Sequence, residues 1–374
     1  MLPSRLFDTL CCQTLYSWLS GSQASSSVEV MVRAAVYYGP NDIRAEDVPR
    51  PEIGPGELLV KVAGCGLCGS DIVKIRYETV KPPAVFGHEV VGEVAEVGAG
   101  VAGFTIGDRV VVAHHVPCYA CHYCQHQSYS MCRIFKASNI YPGGFAEYVR
   151  VPGRNVMHSV FHIPSHLSYE AASFTEPIAC CLRAIKRSRT QPLDSMLVVG
   201  LGSIGLLMVQ LARLYGCRAF GVDVVPERVQ MAQEMGAEQA WDASSTSVCQ
   251  LLGEATEGRG ADVVMLTAGT TQSLAQALEL VRDGGTVNMF AGAPLGARLD
   301  LDINDFYHRE LTLLSSYSPS SVELYEALGL LAAGRIEVSR LLTHRLPLQS
   351  LGEAVRLTLA REALKAYIVV EERA

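Results

Sequence analysis

Apolar and polar positions follow two rhythms along the chain. From Met31 to about Val151, short valine-rich runs are broken by Gly, Pro and Asp. Residues 31–36, 57–62, 90–97 and 109–112 have the length and β-branched content of strands, and Gly98-Ala99-Gly100 and Gly107-Asp108 mark turns. This spacing predicts a barrel-like or sandwich-like β domain. Near Tyr169 the rhythm changes. Residues 196–199 predict a buried strand, and Ile204, Leu207, Leu211 and Leu214 then recur at helical spacing. Residues 219–222 predict a second strand, and 228–235 a second helix closed by Gly236. Residues 261–266, 273–281 and 286–290 repeat the cycle. Strand and helix in alternation predict a parallel sheet covered on both faces. The end is mixed, with helices expected over 321–333 and 351–361 and a last strand over 366–370.

A length of 374 residues is more than one ordinary domain, so two are expected. Hydrophobic residues at 49% and charged residues at 18% fit a soluble globular protein with large cores. A net charge of -7 argues against a nucleic-acid surface, because phosphate binding needs a basic face. No apolar run is long enough to span a bilayer. A small-molecule partner is expected, without nucleic acid or membrane. Of the 12 cysteines, Cys118, Cys121, Cys124 and Cys132 are bunched. Such spacing without a secretory signal reads as metal binding in a reducing compartment, here the cytoplasm, and not as a disulfide framework. Residues 6–19 are only mildly apolar and carry Asp8, and 21–27 have the composition of a flexible linker. Residues 1–30 are expected to be a disordered extension or an over-long start assignment with Met31 as the true start.

Candidate chemistry sits at four places. Gly66-Leu67-Cys68-Gly69-Ser70-Asp71 offers a thiolate on a tight turn, and Gly87-His88-Glu89 offers nitrogen and oxygen donors from a second turn. Sulfur, nitrogen and oxygen around one point suit zinc with a coordination place left open; a buried cysteine and an unrelated surface His-Glu pair is the other reading. Cys118, Cys121, Cys124 and Cys132 fit a closed tetrahedral zinc that folds its own loop, and His114, His115, His122 and His126 are expected on the surface of that lobe. Glu176, followed by Pro177, is a carboxylate in an apolar run. Either it serves a metal or metal-bound water, or it only caps the helix beginning behind it. Last, the strand over 196–199 runs into Gly200-Leu201-Gly202-Ser203-Ile204-Gly205 and a helix. Gly200 suits the tight turn, Gly202 a close approach of pyrophosphate, and Gly205 the packing of helix on strand. The helix start at Ser203 and Ile204 suits the phosphates. Asp223, about 20 residues on, suits the ribose hydroxyls and would repel a 2′-phosphate, which favours NAD over NADP. Arg228 lies over the adenine or is a solvated helix residue; Gly292 is a further cofactor-side candidate.

Taken in order, these motifs with Gly107-Asp108-Arg109-Val110 and Gly144-Phe145-Ala146-Glu147-Tyr148 resemble the zinc-dependent medium-chain dehydrogenases, from Met31 to the C-terminus. Glu176-Pro177 looks like the polyol (sorbitol dehydrogenase-like) branch. The resemblance implies a GroES-like β domain over 31–177 carrying both zinc sites, an inserted Rossmann domain over 178–315, and a return segment over 316–374 completing the first domain, with the active cleft between them. It implies two zinc ions per chain and NAD. Cys68, His88 and Glu89 match catalytic-zinc ligands, with Glu176 as a further ligand or the acid near the zinc water, and Ser70 matches the hydroxyl that takes the substrate proton. Cys118, Cys121, Cys124 and Cys132 match structural-zinc ligands. One departure is Val73, where many members carry a histidine; the proton exit then falls to Glu176, Glu89 and water.

The implied reaction is hydride transfer from a secondary alcohol, a polyol or sugar alcohol, to NAD through a zinc-bound alkoxide. Threonine, a cyclitol, a sugar phosphate or a simple alcohol are alternative substrates, and a zinc-containing binding or regulatory protein is the non-enzymatic alternative. Family members are commonly dimers or tetramers, so a homo-oligomer is expected.

Overall fold

The computed structural model describes residues 30–370. The expected extension over residues 1–30 lies outside them except for Val30. The chain divides into two compact units: residues up to Phe174 with those from Leu342 onward, and Thr175–Leu341.

In the first unit, a sheet runs in the order His344–Pro347, Ala366–Val369, Leu58–Gly66, Glu89–Val97, Arg109–Val112, Val160–His162. Tyr148–Val151 pairs with the first half of Leu58–Gly66, and Ala366–Val369 with its last three residues. A three-stranded sheet of Asp42–Pro49, Met31–Gly39 and Ala84–Val85 completes the unit. The alternation of valines places Val60, Val62, Val90, Val94, Val110 and Val112 in one core with Phe145 and Ile368. The strand Asp42–Pro49 and the helix Gly69–Arg76 were not among the sequence expectations. Half of the strand's positions are polar, and the helix is too short to show a period.

The second unit holds six parallel strands in the order Gln239–Asp242, Arg218–Asp223, Ser195–Val199, Ala261–Leu266, Val281–Met289, Thr312–Ser315. In chain order this is 3-2-1-4-5-6, so the direction of winding switches between the first and fourth strands. Helices Ser203–Leu214, Pro226–Glu234 and Thr271–Leu280 fall within two residues of expectation.

The boundaries differ from those expected. The chain returns to the first unit at Leu342, not at 316. Helix Ser321–Ala332 stays with the second unit, where it buries Leu324, Ala327, Leu328 and Leu331 and its Glu326 pairs with Lys186. The Gln210 amide also closes a two-way hydrogen bond with the Glu337 backbone at 2.8 and 2.9 Å. At the other crossing, helix Thr175–Arg187 includes Glu176 and Pro177 in its first turn, so both belong to the second unit and not to 31–177.

Candidate metal centres and nucleotide site

The end of Leu58–Gly66 sets the first centre. Two residues beyond it, Cys68 caps helix Gly69–Arg76, and its Sγ accepts the backbone N–H of Ser70 at 3.5 Å and the Ser70 hydroxyl at 3.4 Å. Gly66 is paired with Glu89, the first residue of the neighbouring strand, so His88 and Glu89 arrive beside Cys68 by register alone. One ligand atom each from Cys68, His88 and Glu89 lies within 4.8 Å of the other two. The donors are soft sulfur, borderline nitrogen and hard oxygen, which fits a zinc that keeps a place for substrate.

The same strand pairing brings residues that the sequence did not single out. Asp71, fully buried on the helix after Cys68, lies 3.4 Å from His88 Nδ1 and 3.4 Å from Lys74 Nζ. Burial alone would raise its carboxyl, but His88 and Lys74 outweigh this and hold it below the usual carboxylate range. An acidic partner on the far nitrogen fixes the tautomer and ring direction of a ligating histidine. Lys365, 276 positions from Glu89, places Nζ 2.6 Å from its Oε1 and 2.5 Å from its Oε2. Asp71 stood inside the quoted motif and its spacing from Cys68 was a usable signal; Lys365 gave none.

The histidines before the cysteine lobe need correcting. His122 and His126 are exposed on the lobe, as expected. His114 and His115 are half-buried instead of exposed. The His114 ring lies 4.6 Å from that of His88, and the His115 ring lies 3.8 Å from His114 and 5.0 Å from Phe135. Asn155 holds the turn by donating to the carbonyls of Ala113 at 3.1 Å and His114 at 2.9 Å. Burial pushes the His115 imidazole down to about 4.

In the lobe, all four cysteine sulfurs lie within 4.8 Å of one another. Cys118 and Cys124 Sγ are 3.9 Å apart, and Cys121 and Cys124 Sγ are 3.6 Å apart. Tetrahedral zinc with Zn–S of about 2.3 Å separates its sulfurs by about 3.8 Å, so the spacing fits. The backbone N–H groups of Ala120 and Cys121 pull the Cys118 thiol down to about 6. Burial pushes that of Cys124 up. Cys124, Cys132 and Phe135 form a small core of their own.

In the glycine turn of the second unit, each of the three glycines has the local geometry its expected role needs. Gly200 has φ +95, a Cβ on Gly202 would meet nothing within 4 Å, and one on Gly205 would lie 1.9 Å from the Gly200 carbonyl oxygen. Ser203 and Ile204 open the helix capped by Gly202, with first-turn N–H groups that have no partner within the helix. Asp223 ends its strand; its Oδ2 accepts from Leu201 N at 2.6 Å, and its Oδ1 from Val224 N at 2.8 Å and Val225 N at 3.0 Å. Arg228 lies on the next helix, and the Gly292 carbonyl packs against Gly269. Glu176 Oε1 accepts the Cys180 thiol at 3.3 Å within its own helix. It belongs to the other unit from Cys68, His88 and Glu89.

Two family models match the chain: "Alcohol dehydrogenase GroES-like domain" over residues 54–164 and "Zinc-binding dehydrogenase" over 203–333. The chain is 30% identical to the sorbitol dehydrogenase of Bacillus subtilis, over 90% of this chain and 97% of that protein. It is 32% identical to the D-arabitol-phosphate dehydrogenase of Enterococcus avium, over 86% and 92%. A zinc-binding dehydrogenase from Sinorhizobium meliloti 1021, solved bound to NADP, superposes with a TM-score of 0.83 at 32% identity, over 91% of this chain and all of that one. With its GroES-like and Rossmann units, this chain belongs to the zinc-type medium-chain alcohol and polyol dehydrogenases, oxidoreductases acting on CH–OH donors.

Proposed function

We propose that the protein oxidises a secondary alcohol of a polyol, passing its hydride to NAD, with one divalent zinc at Cys68, His88 and Glu89 and a second in the four-cysteine lobe. The convergence of three unlike donors within 4.8 Å carries this reading. A bound zinc supplies a positive field that makes a hydroxyl more acidic. Cys68, His88 and Glu89 hold that field in place, and Asp71 keeps the His88 ring aimed. Ser70 receives the proton of the substrate hydroxyl; its own hydroxyl, 3.4 Å from Cys68 Sγ, supports that role. Glu176, Glu89 and water carry the proton onward, in place of the histidine that Val73 replaces. Gly200, Gly202, Ser203, Ile204 and Gly205 seat the dinucleotide phosphates, with Arg228 and Gly292 flanking. Asp223 supports NAD over NADP, since a 2′-phosphate meets a carboxylate there.

A phosphorylated polyol is the second reading. Lys74 is a half-exposed cation in the helix that Cys68 caps, and the Enterococcus avium relative is named for a sugar-alcohol phosphate. A homo-oligomer fits the outer edge of Thr312–Ser315, where Leu313 is exposed. One experiment tests the whole reading: zinc-quantified protein is assayed at 340 nm against free and phosphorylated polyols, threonine and simple alcohols, each with NAD and NADP. Two zinc per chain and reduction of NAD by a free polyol are expected. Activity that survives removal of the Cys68-dependent zinc overturns it.

A further inference from the structure

Lys365 is the one lysine in the buried set among the described residues. Its place follows from strand order. Leu58–Gly66 lies between Ala366–Val369 and Glu89–Val97, so the residue before the outer strand and the first residue of the inner one flank Gly66. A Cβ on Gly66 would fall 1.9 Å from Glu89 Oε2 and 3.1 Å from Lys365 Cε. The missing side chain opens a passage across the middle strand, and the ammonium and carboxylate meet through it. Both side chains are almost fully buried, at 6% and 1% exposure. The Lys365 carbonyl accepts the N–H groups of Thr343 and His344 at 3.1 and 3.2 Å, which fixes its backbone. Its Nζ also lies 5.8 Å above the Phe174 ring.

We propose that Lys365 is a positioning residue that competes with the divalent cation for Glu89 and so weakens the hold of the Cys68–His88–Glu89 centre on its metal; this rests on the reading of Glu89 as a ligand. Without metal, the ammonium compensates a carboxylate that would otherwise be buried with no counter-charge, which stabilises the metal-free fold. With metal, two cations share one carboxylate and repel each other. Both effects disfavour metal binding, so they add. Sharing also reduces the charge Glu89 donates to the cation, leaving more of its field for the substrate oxygen.

The sign of the effect separates this from a merely structural ion pair, whose loss would disorder Glu89 and weaken binding. The test is chelator competition for zinc on the full chain. The difference between wild type and Cys68→Ser identifies the zinc that counts. Lys365→Met is expected to bind that zinc about tenfold or more tightly than wild type. It should also melt at a lower temperature when metal-free. If the variant is recovered only from zinc-replete cells, the rate of zinc release into excess chelator replaces the equilibrium and should fall. Lys365→Arg, which keeps the charge, should stay close to wild type, and Lys365→Met should have no further effect in a Glu89→Gln background. Unchanged or weaker binding in Lys365→Met, a shift of equal size in Lys365→Arg, or tightening without Glu89 overturns the proposal. Equal zinc content in wild type and Cys68→Ser overturns the underlying reading instead.

Discussion

The four-cysteine lobe takes all its donors from Cys118 to Cys132, 14 positions apart, and buries them in a small core of its own. Cys68, His88 and Glu89 take their places from the pairing of two strands, their orientation from Asp71, and a counter-charge from Lys365, 276 positions away. The lobe gathers four like donors, the set that suits a closed zinc folding its own loop. The other centre gathers three unlike donors, the set that suits a metal with a place left for substrate. Local spacing suffices for the first; the second exists only when the sheet does.

That contrast predicts unequal consequences. Cys68→Ser should lower turnover by about a thousandfold or more, the scale of several kcal/mol of lost charge stabilisation. Steady-state kinetics with zinc analysis should find one zinc retained and nucleotide binding intact. Cys124→Ser should act on the fold, lowering the melting temperature by roughly 10 °C, while turnover of the folded fraction holds. Equal losses of turnover in the two variants would break the contrast. Asp71→Asn should weaken zinc at the Cys68 centre about 10- to 100-fold without touching the lobe, as chelator titration referenced to Cys68→Ser would read.

The smallest effect concerns the link between the two. His115 touches His114 on one side and Phe135 of the lobe core on the other. Its folded-state imidazole is pushed from 6.5 down to about 4 by burial. A depressed value means the unfolded chain binds the proton first, so stability falls as pH drops from 6.5 toward 4. His115→Asn should flatten that acid limb in denaturant melts, and an unaltered limb would assign it to other groups.

Legibility in the sequence followed the same division. The cysteine spacing and the Gly200–Gly205 turn are contiguous, so their geometry was readable before any fold was known. Cys68 and His88 were readable because glycines bracket each turn. Lys365 was not, since a lysine before an apolar run looks like any solvated strand end. His114 and His115 were placed on the lobe because they adjoin it in sequence; the turn held by Asn155 carries them inward. The return at Leu342 was missed because strand-helix alternation ends near 315, while helix packing carries the second unit further.

The split of the first unit around the second has a consequence for biosynthesis. The unit spanning Thr175–Leu341 is contiguous and is complete on the ribosome before the one that started earlier. Until the final strand emerges, the last residues of Leu58–Gly66 lack the neighbour on one side and Glu89 lacks its ammonium. A premature stop in the last-translated stretch therefore strips Glu89 of its counter-charge and Leu58–Gly66 of a neighbour, and leaves the unit spanning Thr175–Leu341 whole.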